Sequence, residues 1–210
     1  MTERRGSRQM VVTATPGRPD RGHVRFGHLC FACALGRAGI GVFKAEGDGR
    51  TPAGTYPWRR VLYRPDRVAR PRSSLPVAAL RTDDGWCDAP GDRNYNRPVR
   101  HPYPASAERL WRCDGLYDIV VVVGHNDLPR RRGAGSAIFF HVARPGLLPT
   151  EGCVALRRRH LLRLVALMRP QDRLLVATGA TACRPLRDQG SPPARAKSKK
   201  ARSLLRARAR

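Results

Sequence analysis

Hydrophobic positions in this chain fall in short runs rather than long helical stripes. Val11 to Ala14, Val24 to Phe26, Leu29 to Leu35 and Gly39 to Phe43 are apolar stretches separated by Gly, Pro and Asp. That pattern predicts short strands joined by turns. Thr51-Pro52-Ala53-Gly54 reads as a turn before a strand over Thr55 to Leu62. Tyr117 to Val123 holds an almost continuous β-branched run, the mark of a central strand covered on both faces. From Ser136 to Val142, alternation sets Ala137, Phe139 and His141 on one face and Ile138 and Phe140 on the other. The period changes at Arg158. Leu161, Leu162, Leu164, Val165 and Met168 form one broad apolar face, which predicts a helix over Arg158 to Met168, ended by Arg169-Pro170. Leu174 to Ala177 is a last strand. Residues 64–104, rich in Pro, Arg, Asp and Asn, read as a long irregular excursion anchored by Trp86, Tyr95 and Tyr103. The expected fold is mainly β with at least one helix, sandwich-like.

Length and charge refine this picture. The 210 residues suffice for one domain with a full core. The expected organisation is a basic arm over 1–9, a folded domain over 10–183 and a basic tail over 184–210, both ends being too polar to pack. The formal charge is +25; residues 184–210 carry +9 of it, leaving +16 on the rest, so the folded part is itself basic. Such a charge draws anionic partners and says nothing of fold. No nucleic-acid motif appears, and the aromatics are not interleaved with the basic patches, so specific nucleic-acid binding is the remote reading. No stretch approaches the length of a membrane span. Met10 to Thr15 is too short for a signal-peptide core, so no export route is legible.

Cysteine and histidine carry the candidate chemistry. Cys153 follows Gly152 in a turn twelve residues after His141. A thiolate is the reactive form of cysteine, and an imidazole can take its proton and return it to a leaving amine. Gly152 permits a tight turn, and the amides of Gly152 and Cys153 can face an oxyanion. An isolated His and Cys would more often be packing material. Cys30 and Cys33 form a CxxC without a second CxxC, in an apolar run, and read as core rather than metal or redox residues. His23, His28, His101 and His160 have no metal-site spacing. His125 and Asn126 end the strand before that of His141 and are candidates for the cleft, as turn residues or as accessory site residues. Asp88, Tyr95 and Asn96 either line it or stabilise turns. Arg157, Arg158 and Arg159 stand where a helix dipole is positive. They read either as compositional bias or as an electropositive rim beside Cys153.

Gly135-Ser136-Ala137-Ile138-Phe139-Phe140-His141 followed by Pro149-Thr150-Glu151-Gly152-Cys153-Val154 resembles the active-site signature of L,D-transpeptidases with the YkuD-type catalytic domain, within a bacterial subgroup of short single-domain members. Lys44-Ala45-Glu46-Gly47-Asp48-Gly49-Arg50-Thr51-Pro52-Ala53-Gly54 is similar to the subgroup's K-x-E-G-D-G-x-T-P-x-G segment. Gly85 to Asp88, Tyr95 to Val99, Asp114 to Asp118 and Val123 to Asp127 match further blocks, and the resemblance covers Val11 to Ala177. Carried over by position, Cys153 is the nucleophile, His141 the proton donor and acceptor, Gly152 the glycine before the cysteine, and Thr150 the Ser/Thr of S/T-H-G-C. Thr150, His125, Asn126 and Arg157 are the candidate substrate contacts. Glu151 and Ala155 depart from the pattern, where many members have histidine and Arg or Asn.

The resemblance implies acyl transfer on peptidoglycan stem peptides through a Cys153 thioester, forming 3→3 cross-links, with no metal or organic cofactor. Anionic wall polymers are further candidate partners. Water as acceptor would instead give a wall-peptide carboxypeptidase or amidase. The resemblance places the protein in the periplasm or cell envelope, in tension with the absence of a legible export signal.

Overall fold

The computed structural model describes residues 7–179. The chain forms Gln9–Thr15 (β1), Arg18–Phe26 (β2), Leu29–Ala34 (β3), Ile40–Gly41 (β4), Thr51–Pro52 (β5) and Gly54–Tyr63 (β6). Then come Val77–Ala79 (β7), Asp84–Cys87 (β8), Pro98–Arg100 (β9), Ala107–Arg109 (β10), Ile119–Val123 (β11) and Phe139–Val142 (β12). A 3-10 turn over Pro145–Leu147 precedes Val154–Leu156 (β13), the helix Arg158–Leu167 (α1) and Arg173–Ala177 (β14). The mainly β expectation with a helix after Arg157 is met.

Layer packing takes the form of one sheet closed on itself. The order runs β11, β12, β13, β3, β2, β1, β14, β6, and β6 pairs back onto β11. The eight strands therefore make a mixed barrel, and closure leaves no open edge among them. β7 adds to β6 in parallel. Alternation decides what each face buries. Ile119, Val121 and Val123 of β11 join Phe140, Val154 and Leu156 in the main core, to which α1 adds Leu161, Leu164 and Val165. Val120 and Val122 point the other way, into a second cluster with Leu62, Trp86, Tyr117 and Phe139. β11 is thus buried on both faces, which is why its sequence is apolar without a break.

The second cluster is roofed by residues 64–116. The excursion expected over 64–104 is more regular than its sequence suggests: it contains β8 and β9, which form an antiparallel sheet with β10. Trp86 and Tyr95 anchor it, both buried, and Asn96 is its hub. The Asn96 Oδ1 accepts from Trp86 Nε1 at 2.9 Å and from Ala137 N–H at 3.1 Å. Its Nδ2 donates to the carbonyls of His125 and Asn126 at 3.0 and 2.9 Å. One buried amide thereby ties the roof to the segment that enters the His141 strand.

Three expectations shift. Only Ile40–Gly41 of the run 39–43 pairs, and Val42 and Phe43 stand exposed. The strand at Val24 to Phe26 begins earlier, at Arg18. At the N-terminal end, Arg8 donates to the buried Asp172 through its backbone N–H, Nε and Nη2, at 3.2, 3.3 and 2.7 Å, so the chain is already anchored there. The rest of the expected arm and the whole expected tail lie outside the described residues. Cys33 is a buried free thiol in the core, in keeping with the packing reading, but Cys30 on the same strand is disulfide-bonded, so that reading is corrected for Cys30. No helix among the described residues is long and apolar enough to cross a membrane.

Candidate active site

Strand alternation brings Cys153 and His141 to one face. In β13, Val154 and Leu156 point into the barrel, so Cys153 and Ala155 point out, under the roof. β12 pairs with β13 in parallel, His141 opposite Ala155. Cys153, two residues before Ala155, therefore lies one side-chain step along from the imidazole. Its Sγ is cradled by the segment leading to His141: the thiol donates to Ala137 O at 3.2 Å and accepts from Phe139 N–H at 3.3 Å.

The imidazole is oriented by one hydrogen bond. His141 Nδ1 lies 2.9 Å from Val142 O. A carbonyl only accepts, so Nδ1 carries the proton and Nε2 keeps its lone pair. Tyr117 stands edge-on to the ring, centroids 5.3 Å apart, and its hydroxyl donates to Glu108 at 2.6 Å. Burial holds the imidazole down at about 4. Burial, with the charge of Glu108 added, pushes the thiol up to about 12. At neutral pH the pair rests as a thiol and an uncharged imidazole.

The turn before Cys153 is built by Thr150. Its backbone is tied to Leu35 O and Arg37 N–H, both at 2.9 Å. Its hydroxyl donates to Cys153 O at 2.6 Å and accepts from Gly152 N–H at 3.2 Å. Gly152 has φ of +135°, and a Cβ there would stand 2.8 Å from Arg50 O. Only glycine suits both the conformation and the gap. Glu151 is exposed at the mouth and forms an ion pair with Arg37. Residues 44–50 form a clasp on the other side. Lys44 pairs with Asp48, Glu46 N–H donates to Gly133 O at 2.9 Å, and Glu46 accepts from the Tyr95 hydroxyl at 2.5 Å.

Cys153 and His141 open into one cleft of about 480 Å³. Thr150, Glu151 and Ala155 line it, as do Asp88, Glu108, Ser136 and Tyr117 from the roof and the strand ends. Three other predicted contacts lie elsewhere. Arg157 is the residue before α1, and β13 carries the chain away from Cys153 before reaching it. It lines a separate surface hollow with Arg144 and Arg158. The arginines at the Cys153 cleft are Arg109, Arg112 and Arg144. His125 lines a second cavity behind Phe139, its Nε2 at 3.0 Å from Ala134 O. Asn126 braces its own loop, donating to the carbonyls of Arg131 and Gly135, both at 2.9 Å.

Glu108, Tyr117 and Ser136 also line the cleft, although local sequence pattern does not single them out as site residues. Tyr117 lies in the Asp114 to Asp118 block and Ser136 in the His141 signature, so those blocks were the available signal. Glu108 stands in no such block. No group of three or more His, Cys, Asp or Glu able to hold a metal ion occurs among the described residues.

A barrel whose outer face presents a cysteine and a histidine under a loop-rich roof has the groups that thiol-dependent acyl transfer requires. The family model of the L,D-transpeptidase catalytic domain, YkuD, matches residues 7–176, and the chain belongs to that family. Membership implies L,D-transpeptidase activity on peptidoglycan and a role in the cell wall. No curated protein and no solved structure gives a significant match.

Proposed function

We propose that the protein is an L,D-transpeptidase that works through a Cys153 thioester, with an amine of a second stem peptide as acceptor and 3→3 cross-links as product. The observation that carries the reading is the shared cleft: the thiol and the free Nε2 of His141 open into the same space. Cys153 Sγ attacks the carbonyl of the third residue of a tetrapeptide stem, and its proton passes to Nε2. The pair is neutral at rest, so the charge appears only as the bond forms. The amides of Gly152 and Cys153 are the candidate donors to the oxyanion. For Gly152 this requires its N–H to leave the long bond to Thr150 Oγ1. His141 then returns the proton to the departing D-alanine amine, and the C–N bond breaks.

Glu151 and Ala155 fit this chemistry. Glu151 points to the mouth, where it is neutralised by Arg37, and Ala155 keeps the wall beside His141 small. The test is product analysis on a soluble tetrapeptide stem. The expected result is release of D-alanine with formation of a peptide dimer, both lost in Cys153→Ala. Tripeptide without dimer, at every acceptor concentration, would mean that water is the acceptor. Turnover by a folded Cys153→Ala protein would remove the nucleophile assignment.

A further inference from the structure

Besides Glu151 at its mouth, three carboxylates line the Cys153 cleft with no part in the chemistry above: Glu46, which accepts from the Tyr95 hydroxyl, and Asp88 and Glu108. Glu108 pairs with Trp86 across β8 and β10, and Asp88 lies two residues beyond Trp86. Alternation therefore turns Trp86, Asp88 and Glu108 to the same face of the roof, towards the barrel. Trp86 uses that face to pack edge-on against Phe139. Asp88 and Glu108 use it to line the cleft. Glu108 is engaged by the Tyr117 hydroxyl and stands 3.9 Å from Arg112, which is itself held by Asp114. The Asp88 Oδ1 is buried and has no hydrogen-bond partner.

A second observation falls on the same cleft. Ser136 is 7% exposed, lines the same cleft, and its Oγ also has no partner. It lies near the Tyr95 hydroxyl without meeting hydrogen-bond geometry. A buried hydroxyl or carboxylate oxygen without a partner costs free energy, so such atoms commonly mark the place of a ligand. Burial and, after it, the charge of Glu108 raise the thiol, so Glu108 opposes the thiolate that the reaction makes and later expels. A cation bound beside it would reverse that effect.

We propose that Asp88 and Glu108, with the Ser136 hydroxyl, form a subsite that binds the primary ammonium group of the acyl acceptor beside the Cys153 thioester. The proposal rests on the thioester reading and names the residues that favour an amine over water. The ammonium donates to the two carboxylates and to Ser136 Oγ, three acceptors for its three N–H bonds. It gives one proton to a carboxylate and becomes a neutral nucleophile. The amine nitrogen then forms a bond to the thioester carbonyl carbon, and the C–S bond breaks. The second proton leaves the nitrogen through His141 and ends on the departing sulfur. A water molecule has no charge for this subsite to hold, so it competes without that advantage.

The experiment reads how one acyl-enzyme divides between acceptors. Full-length protein is acylated with a tetrapeptide stem and challenged with a tripeptide stem bearing a free side-chain amine, over a range of concentrations. Asp88→Asn and Glu108→Gln are isosteric, and the glutamine keeps an oxygen for the Tyr117 hydroxyl. In each, the amine concentration giving equal dimer and hydrolysed product should rise about tenfold or more. The same split is measured with hydroxylamine, which is uncharged at neutral pH, and there it should stay near the wild-type value. An unchanged split with the charged amine, or an equal loss with both acceptors, would overturn the subsite. Absence of any Cys153 adduct in the wild-type protein would overturn the thioester reading itself, and the subsite with it.

Discussion

At the scale of single residues, the turn before Cys153 separates side chains that geometry demands from those it tolerates. Gly152 is demanded, because a Cβ at φ of +135° is strained and would press on Arg50 O. Gly152→Ala should lower kcat by more than tenfold on a soluble stem peptide. Glu151 is tolerated: its carboxylate is exposed and its ion pair with Arg37 is worth about 1 kcal/mol or less. Glu151→Ala should keep kcat within about threefold, and a loss equal to that of Gly152→Ala would make Glu151 part of the catalytic set. The shared cleft of Cys153 and His141 is legible because a signature names the pair and alternation fixes the face of the His141 strand. Glu108 is not, because its approach to Cys153 depends on how the roof folds back over the barrel, and Asp88 is legible only as one of two readings, cleft or turn.

At the scale of elements, the roof and the catalytic strand are joined through Asn96. Removing its amide would leave Trp86 Nε1, Ala137 N–H and two carbonyls short of partners. Asn96→Ala should therefore cost roughly 3 kcal/mol in a urea titration and also lower kcat, because Ala137 O holds the thiol. A stable variant with wild-type kcat would show that the roof does not position the site. Local pattern shows β11 and α1 in the sequence, the first through its unbroken β-branched run, the second through its apolar face. It hides β8, β9 and β10, which are three or four residues each and lie among Pro, Arg and Asp. It also hides the parallel pairing of β12 with β13 and the closure of β6 onto β11, which are contacts between distant segments. Arg157 lines a hollow that meets the Cys153 cleft only through Arg144, because β13 carries the chain away from Cys153.

At the scale of the whole molecule, a strongly basic chain encloses a cleft in which carboxylates stand beside the nucleophile. The basic charge draws anionic partners, while the subsite proposed in the cleft would take an amine. Global stability is coupled to the site through His141. Its folded value of about 4 lies below the usual 6.5, so folding favours the uncharged ring. That contribution is complete above pH 6.5 and is lost as pH falls through about 4. Its size is roughly 3 kcal/mol, from 1.36 kcal/mol for each unit of displacement. Between pH 7 and 4 the wild-type protein should thus lose more stability than His141→Gln, as urea titrations at both pH values will show. Parallel losses would mean that the ring is not held neutral by burial.

The proposed mechanism requires one covalent bond, between Cys153 Sγ and the third-residue carbonyl of a tetrapeptide stem. Intact-mass analysis after mixing protein and stem on a short time scale, followed by peptide mapping, tests it most directly. The expected result is a mass increase equal to the stem less D-alanine, located on Cys153 and absent from Cys153→Ala. An adduct on another residue, or D-alanine release with no adduct at any time point while Cys153→Ala still turns over, would contradict it.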